Sequence, residues 1–122
     1  SNHSKRARER FSHLQPGQTG KDLPEDQRTK KHSLQRWHYL RTAPTVTTLP
    51  DDFIHHEKNR IPTVRELARI QSFPDDFEFK GRRTTGGKRR RETVPQYSQV
   101  GNAVPPKLAN AVAMTVQNHL EK

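Results

Sequence analysis

Apolar positions are sparse in this chain and unevenly placed. Over residues 1–36 they are scattered (Phe11, Leu14, Leu23, Leu34) among Arg, Lys, Gln, Pro and Gly, and the pattern admits no more than a short helix near residues 5–14. Pro16-Gly17 and Gly20 read as turns. From Trp37 the chain changes character. Ala43-Pro44-Thr45-Val46-Thr47-Thr48 is β-prone, and Pro44 confines it to a strand start or a sheet edge before Pro50 and Asp51-Asp52 end it. Thr63-Val64-Arg65-Glu66 has the spacing of a capping box, and Val64, Leu67, Ala68 and Gln71 follow at helical spacing with Ile70 adjoining. Phe73-Pro74-Asp75-Asp76-Phe77 stops this helix, because proline disfavours α conformation in the residue before it. Phe77-Glu78-Phe79 then alternates as a short strand would. Pro105-Pro106 opens a second helix, in which Leu108, Val112, Val116 and Leu120 recur every four residues beside Ala109 and Ala113. That predicts a narrow apolar stripe, made for docking on a larger body.

Composition explains why a larger body is expected. Only 28% of the 122 residues are hydrophobic and the formal net charge is +10, a regime in which burial struggles to offset chain entropy. The charge is divided into +6 over residues 1–41, −3 over 42–79 and +7 over 80–122. Two basic ends flanking an acidic middle suit a polyanionic partner, or else a basic tail kept for solubility. The densest basic run lies between the two helices. Residues 80–94 hold seven cations with Gly81, Gly86 and Gly87, the best nucleic-acid contact in the chain. The alternative for this run is a solvated loop.

No apolar run approaches the roughly 20 residues of a membrane span, and no apolar stretch follows the early cations as a signal peptide requires. The chain begins at Ser1 rather than Met, which reads as a processed or excised piece. With no cysteine, disulfide frameworks and thiolate metal sites are ruled out. The seven histidines do not form a metal-ligand pattern either, so no metal is expected.

Two segments together resemble a known family. TVRELARIQSFPDDFEF (residues 63–79) resembles the ninth conserved motif of the DNA (cytosine-5)-methyltransferases, and QYSQVGNAVPPKLANAVA (residues 96–113) resembles the tenth, in the family's order and spacing. RTAPTVTT (residues 41–48) is similar to the run that precedes the ninth motif, at the end of the target-recognition region. The likeness covers residues 36–120, and residues 1–35 match nothing in it.

The resemblance implies a fold: the C-terminal fragment of a Rossmann-like, S-adenosylmethionine-dependent α/β methyltransferase, with part of the small target-recognition domain. Residues 1–35 would be a basic, poorly ordered or linker segment, 36–95 the remainder of the target-recognition domain, and 96–122 the tenth motif and a terminal helix returning to the catalytic domain. It also implies chemistry. Such enzymes add a cysteine thiolate to cytosine C6 so that C5 can take a methyl group from S-adenosylmethionine, after the base is flipped from the duplex. This chain has no cysteine, and its glycines at 17, 20, 81, 86, 87 and 101 form no G-x-G pattern. It therefore supplies no catalytic residue, is expected to be inactive alone, and needs an N-terminal methyltransferase half, in the same chain or a separate subunit.

By the same resemblance Gly101, Asn102 and Ala103 line the S-adenosylmethionine pocket, although the family more often has Ser after Asn, leaving Ala103 only a backbone contact. Read without the family, Gly101-Asn102 is a helix-terminating turn. Thr63, Arg65 and Glu66 are expected to serve structure, through ion pairs and the helix cap. Arg82, Arg83, Lys88, Arg89, Arg90 and Arg91 are expected to hold phosphates of double-stranded DNA, with Thr84 and Thr85 adding hydroxyl contacts. Trp37 and Tyr39 admit base stacking, but core anchoring is the preferred reading of both. The expected role is DNA methylation in a bacterial restriction-modification system, in the cytoplasm and at the nucleoid. The competing reading is a stand-alone basic DNA-binding module, or a degenerate remnant without activity.

Overall fold

The computed structural model of the chain describes residues 2–31, 33–84, 89 and 92–122. These form two compact units, Ser1–Thr63 and Val64–Lys122.

The first unit begins with helix α1, Lys5–Ser12, whose first turn is capped by the Ser4 hydroxyl accepting from the Ala7 N–H at 3.2 Å. α1 buries one residue, Phe11, and exposes Lys5, Arg6 and Arg8, while the half-buried Arg10 donates to Gln27 O at 2.9 Å. The Pro16-Gly17 turn forms as expected: Gln18 N–H donates to Gln15 O at 3.0 Å and Gly17 sits at φ 86°, the left-handed value its place in such a turn requires. Two short strands, β1 (Gln35–Arg36) and β2 (Phe53–Ile54), pair in parallel with Gln35 opposite Phe53. On the other side of β1, Thr19 forms an antiparallel bridge with Gln35, and Gly20 N–H donates to Leu34 O at 2.7 Å.

The core of this unit collects Phe11, Leu14, Leu23, Leu34, Trp37, Val46, Phe53, Ile54 and Ile61, all buried. Each large apolar side chain contributes about 1.5–3 kcal/mol by leaving water. Four of these core residues, Phe11, Leu14, Leu23 and Leu34, come from residues 1–35. They look scattered in sequence, yet each of them is buried in the folded unit. The preferred reading of Trp37 holds, since it is buried against Phe53 with ring centroids 5.4 Å apart. Tyr39 departs from it: 70% exposed, it stacks on His38.

A buried guanidinium organises the unit. Arg36 is 3% exposed; its Nη1 donates to His55 O (2.7 Å) and Lys58 O (3.2 Å), and its Nη2 to Phe11 O and Asn59 Oδ1 (both 2.6 Å). Burial holds its pKa below the usual arginine value, and four oxygens replace the water it gave up. Residues 43–48 do not form the expected strand. Val46 turns inward, while the Thr47 hydroxyl is captured by the buried Asp52 carboxylate, which also accepts from Ser33 Oγ at 2.8 Å.

The second unit is helical: α2 (Val64–Ile70), α3 (Gln96–Asn102) and α4 (Pro106–Leu120). α2 starts directly after Thr63 and buries Val64, Leu67 and Ala68, as its periodicity requires. It packs against α3, which buries Tyr97 and Val100. Among the described residues no strand forms at 77–79. Phe73, Phe77 and Phe79 instead make an aromatic triangle with ring centroids 4.9–5.0 Å apart. α4 starts at the expected proline pair and buries no residue. Leu108, Val112 and Val116 of its stripe are each more than half exposed, and Leu120 is 78% exposed.

Candidate functional site

Several polar residues of the second unit donate to main-chain carbonyls. Arg65 reaches Pro74 O (3.3 Å) and Phe77 O (2.6 Å), which holds the turn after α2. Both contacts are to main-chain carbonyl groups. Thr63 and Glu66 each engage a partner as well. Arg69 and Asp75 form a two-pronged ion pair (2.8 and 3.0 Å) on the surface of the same turn. The hydrogen bond and charge of Arg69 hold the Asp75 carboxyl below its usual range.

Three glutamines then do parallel work, each using both N–H groups of its carboxamide. Gln96 donates to Phe79 O (2.9 Å) and Gly81 O (2.8 Å). Gln99 donates to Lys80 O and Val94 O, both at 2.9 Å, so it ties together the two ends of the basic run. The main chain joins in, with Gln96 N–H on Arg82 O (2.8 Å) and Tyr97 N–H on Arg83 O (3.3 Å). The third glutamine, Gln71, donates to Val100 O (3.1 Å) and Ala103 O (3.3 Å) at the end of α3. The Val100 carbonyl also accepts from the Ala103 N–H at 3.3 Å, and Ala103 is the residue that ends the helix.

Gly101 and Asn102 are the last two residues of α3, and Ala103 is its C-cap, with extended backbone and its N–H on Val100 O. The three consecutive residues expected at the cofactor thus lie at a helix terminus. Asn102 is exposed, and among the described residues its carboxamide makes no hydrogen bond. A carboxamide with two donors and one acceptor, beside a residue as small as Ala103, fits a polar small-molecule group.

Of the expected DNA contacts, Arg82, Arg83, Thr84 and Arg89 are exposed. Thr85, Lys88, Arg90 and Arg91 lie outside the described residues. Sequence reasoning did not single out Ser72 or Gln96, and took Gln71 and Gln99 only as positions of the ninth and tenth motifs, with no contact assigned to either. The available signal was that these uncharged polar residues border the apolar runs of a heavily charged chain. Among the described residues no group of three or more His, Asp and Glu side chains is arranged to hold a metal ion, and no helix is long and apolar enough to cross a membrane.

Comparison with known proteins places these features. The chain is 40% identical over 118 residues to the type II methyltransferase M1.HphI of Haemophilus parahaemolyticus, which covers 94% of this chain and 29% of that protein. It is 36% identical over 133 residues to the type II methyltransferase M.DdeI of Desulfomicrobium norvegicum, covering 98% and 32%. Against the type II methyltransferase M.AquIB of Picosynechococcus it is 45% identical over 103 residues, covering 83% of this chain and 74% of that one. The chain thus spans about a third of the length of the first two relatives and most of the third. No solved structure matches it. The family model of the C-5 cytosine-specific DNA methylases matches residues 1–118, including the first 35 that the sequence motifs had left outside. On that match, the chain belongs to the C-5 cytosine-specific DNA methylase family.

Proposed function

We propose that this chain is the C-terminal portion of a DNA cytosine-5 methyltransferase of a bacterial restriction-modification system, and that it completes a cofactor pocket and contacts DNA without supplying the catalytic thiolate. The observation that carries this reading is α4. Its apolar stripe of Leu108, Val112, Val116 and Leu120 lies open along a helix that buries nothing in the chain's own fold. A small chain leaves such a face exposed only when another body covers it. In this reading the body is the Rossmann-like part of the enzyme, which also brings the cysteine and the glycine-rich loop absent here. That body lies in the same polypeptide or in a separate subunit.

The cofactor, S-adenosylmethionine, would supply the methyl group. Asn102 holds it with its free carboxamide, and Gly101 and Ala103 shape the backbone around it. Arg82, Arg83 and Arg89, with Thr84 beside them, hold DNA phosphates, and the remaining cations and Thr85 of the 80–94 run extend that contact. Work on DNA places the assembled enzyme at the nucleoid, in the cytoplasm.

The test is complementation. The chain is mixed with the N-terminal part of a methyltransferase of this family, and methyl transfer to duplex DNA is measured. Activity in the mixture and none in either part is the expected result. DNA binding by the chain with no complementation under any mixing ratio would favour a stand-alone DNA-binding module instead.

A further inference from the structure

Gln71 and Ser72 end α2, thirty residues before the segment assigned to the cofactor, yet both reach it. Gln71 bonds the carbonyls of Val100 and Ala103, on either side of Gly101-Asn102. The Ser72 hydroxyl accepts from the Lys107 N–H at 3.1 Å. That amide needs an outside acceptor, because α4 opens on Pro105-Pro106 and has no side-chain cap of its own. Ser72 is also the one non-glycine described residue with positive φ, 63°, a conformation unfavourable for an L-residue. The turn is held by Ser72 N–H on Arg69 O (3.0 Å) and Phe73 N–H on Ala68 O (2.9 Å), and in it the hydroxyl meets α4. Two adjacent residues therefore fix both ends of the link from α3 to α4.

We propose that Gln71 and Ser72 are positioning residues of the cofactor site, which hold Gly101, Asn102 and Ala103 in the binding geometry by securing the helix end before them and the helix start after them. This rests on the assignment of that segment to S-adenosylmethionine. Asn102 lies at a helix terminus, where the backbone frays most easily. A displacement of about 1 Å there is enough to spoil a polar contact.

The test is calorimetric titration of the full methyltransferase that carries this chain, with S-adenosylhomocysteine as the probe. Gln71→Ala is expected to bind about tenfold more weakly, and Ser72→Ala about threefold more weakly. Ser72→Asn restores binding, because asparagine tolerates positive φ and offers an acceptor oxygen. DNA affinity without the probe stays unchanged, which separates positioning from a general loosening of the fold. If Gln71→Ala proves poorly folded, the Ser72→Ala and Ser72→Asn pair carries the test, since Ser72 lies outside the buried core. Wild-type affinity in Gln71→Ala and Ser72→Ala, with weakened binding in Asn102→Ala, overturns the proposal and leaves the cofactor assignment standing. Wild-type affinity in Asn102→Ala as well removes that assignment and the positioning role with it.

Discussion

The Arg36 guanidinium donates to the Phe11 carbonyl at 2.6 Å, joining the end of α1 to β1 across 25 positions of sequence. The same side chain satisfies oxygens of His55, Lys58 and Asn59. Arg36→Met would fill much of the space but leave the buried Phe11 carbonyl without its donor and the part-buried oxygens of His55, Lys58 and Asn59 without theirs. At about 0.5–1 kcal/mol for each of the four bonds, the first unit should lose about 3 kcal/mol in urea unfolding. Proteolysis should then cut the released α1 first.

The Asp52 carboxylate should set an acid limit on the same unit. Burial alone would push its pKa up, but hydrogen bonds from Thr47, Lys31 and Ser33, with the Lys31 charge, outweigh burial and hold it below the ordinary value of 3.8. A depressed carboxylate pKa contributes stability that is complete above the unfolded value and is lost as pH falls through the folded one. Unfolding free energy should therefore decline below about pH 4. In Asp52→Asn the decline should flatten, with about 2 kcal/mol already missing at neutral pH. An unaltered acid limb in that variant would assign the limit to another group.

Val112→Asp should separate folding from assembly. Val112 is 55% exposed, so the chain's own melting should change little. Placing a charge in the proposed docking stripe should weaken complementation by about 100-fold, read as the concentration of chain that restores methyl transfer. Equal complementation by this variant would place the contact elsewhere.

Gln99 and the arginines it helps to present should fail differently. Arg82→Ala and Arg83→Ala each remove a phosphate contact, so the slope of log affinity against log salt should fall by about 0.9 per contact. Gln99→Glu keeps every cation but places a carboxylate against Lys80 O and Val94 O, which opens the base of the run. Affinity should drop several-fold through slower capture and faster release, with a slope closer to the wild type than either arginine variant shows. A filter-binding series over salt distinguishes the two.

Much of the second unit was legible beforehand. The start of α2 after Thr63, the start of α4 at the proline pair and the unburied stripe follow from local rules, because capping, proline geometry and helical periodicity act over a few residues. Gln71, Ser72, Gln96 and Gln99 were not legible as clamps. Their partners are carbonyl oxygens, which every residue carries, so the sequence holds no mark of which ones they meet. The Phe77-Glu78-Phe79 alternation misled for a related reason: with no neighbouring strand to pair, three aromatic rings gain more by packing on one another.

By itself the sequence determined the family motifs, the charge division, the missing thiolate and the helix limits, all of which depend on residue identity and short-range geometry. Only the tertiary structure decided that Phe11, Leu14 and Leu23 are buried, since they lie too far apart in sequence to show a period. It also decided that two adjacent residues after α2 hold both ends of the α3–α4 link. The physical reason is the same in both cases. Burial and hydrogen bonding reward whichever groups the folded chain brings together, and that choice is made by the whole unit at once.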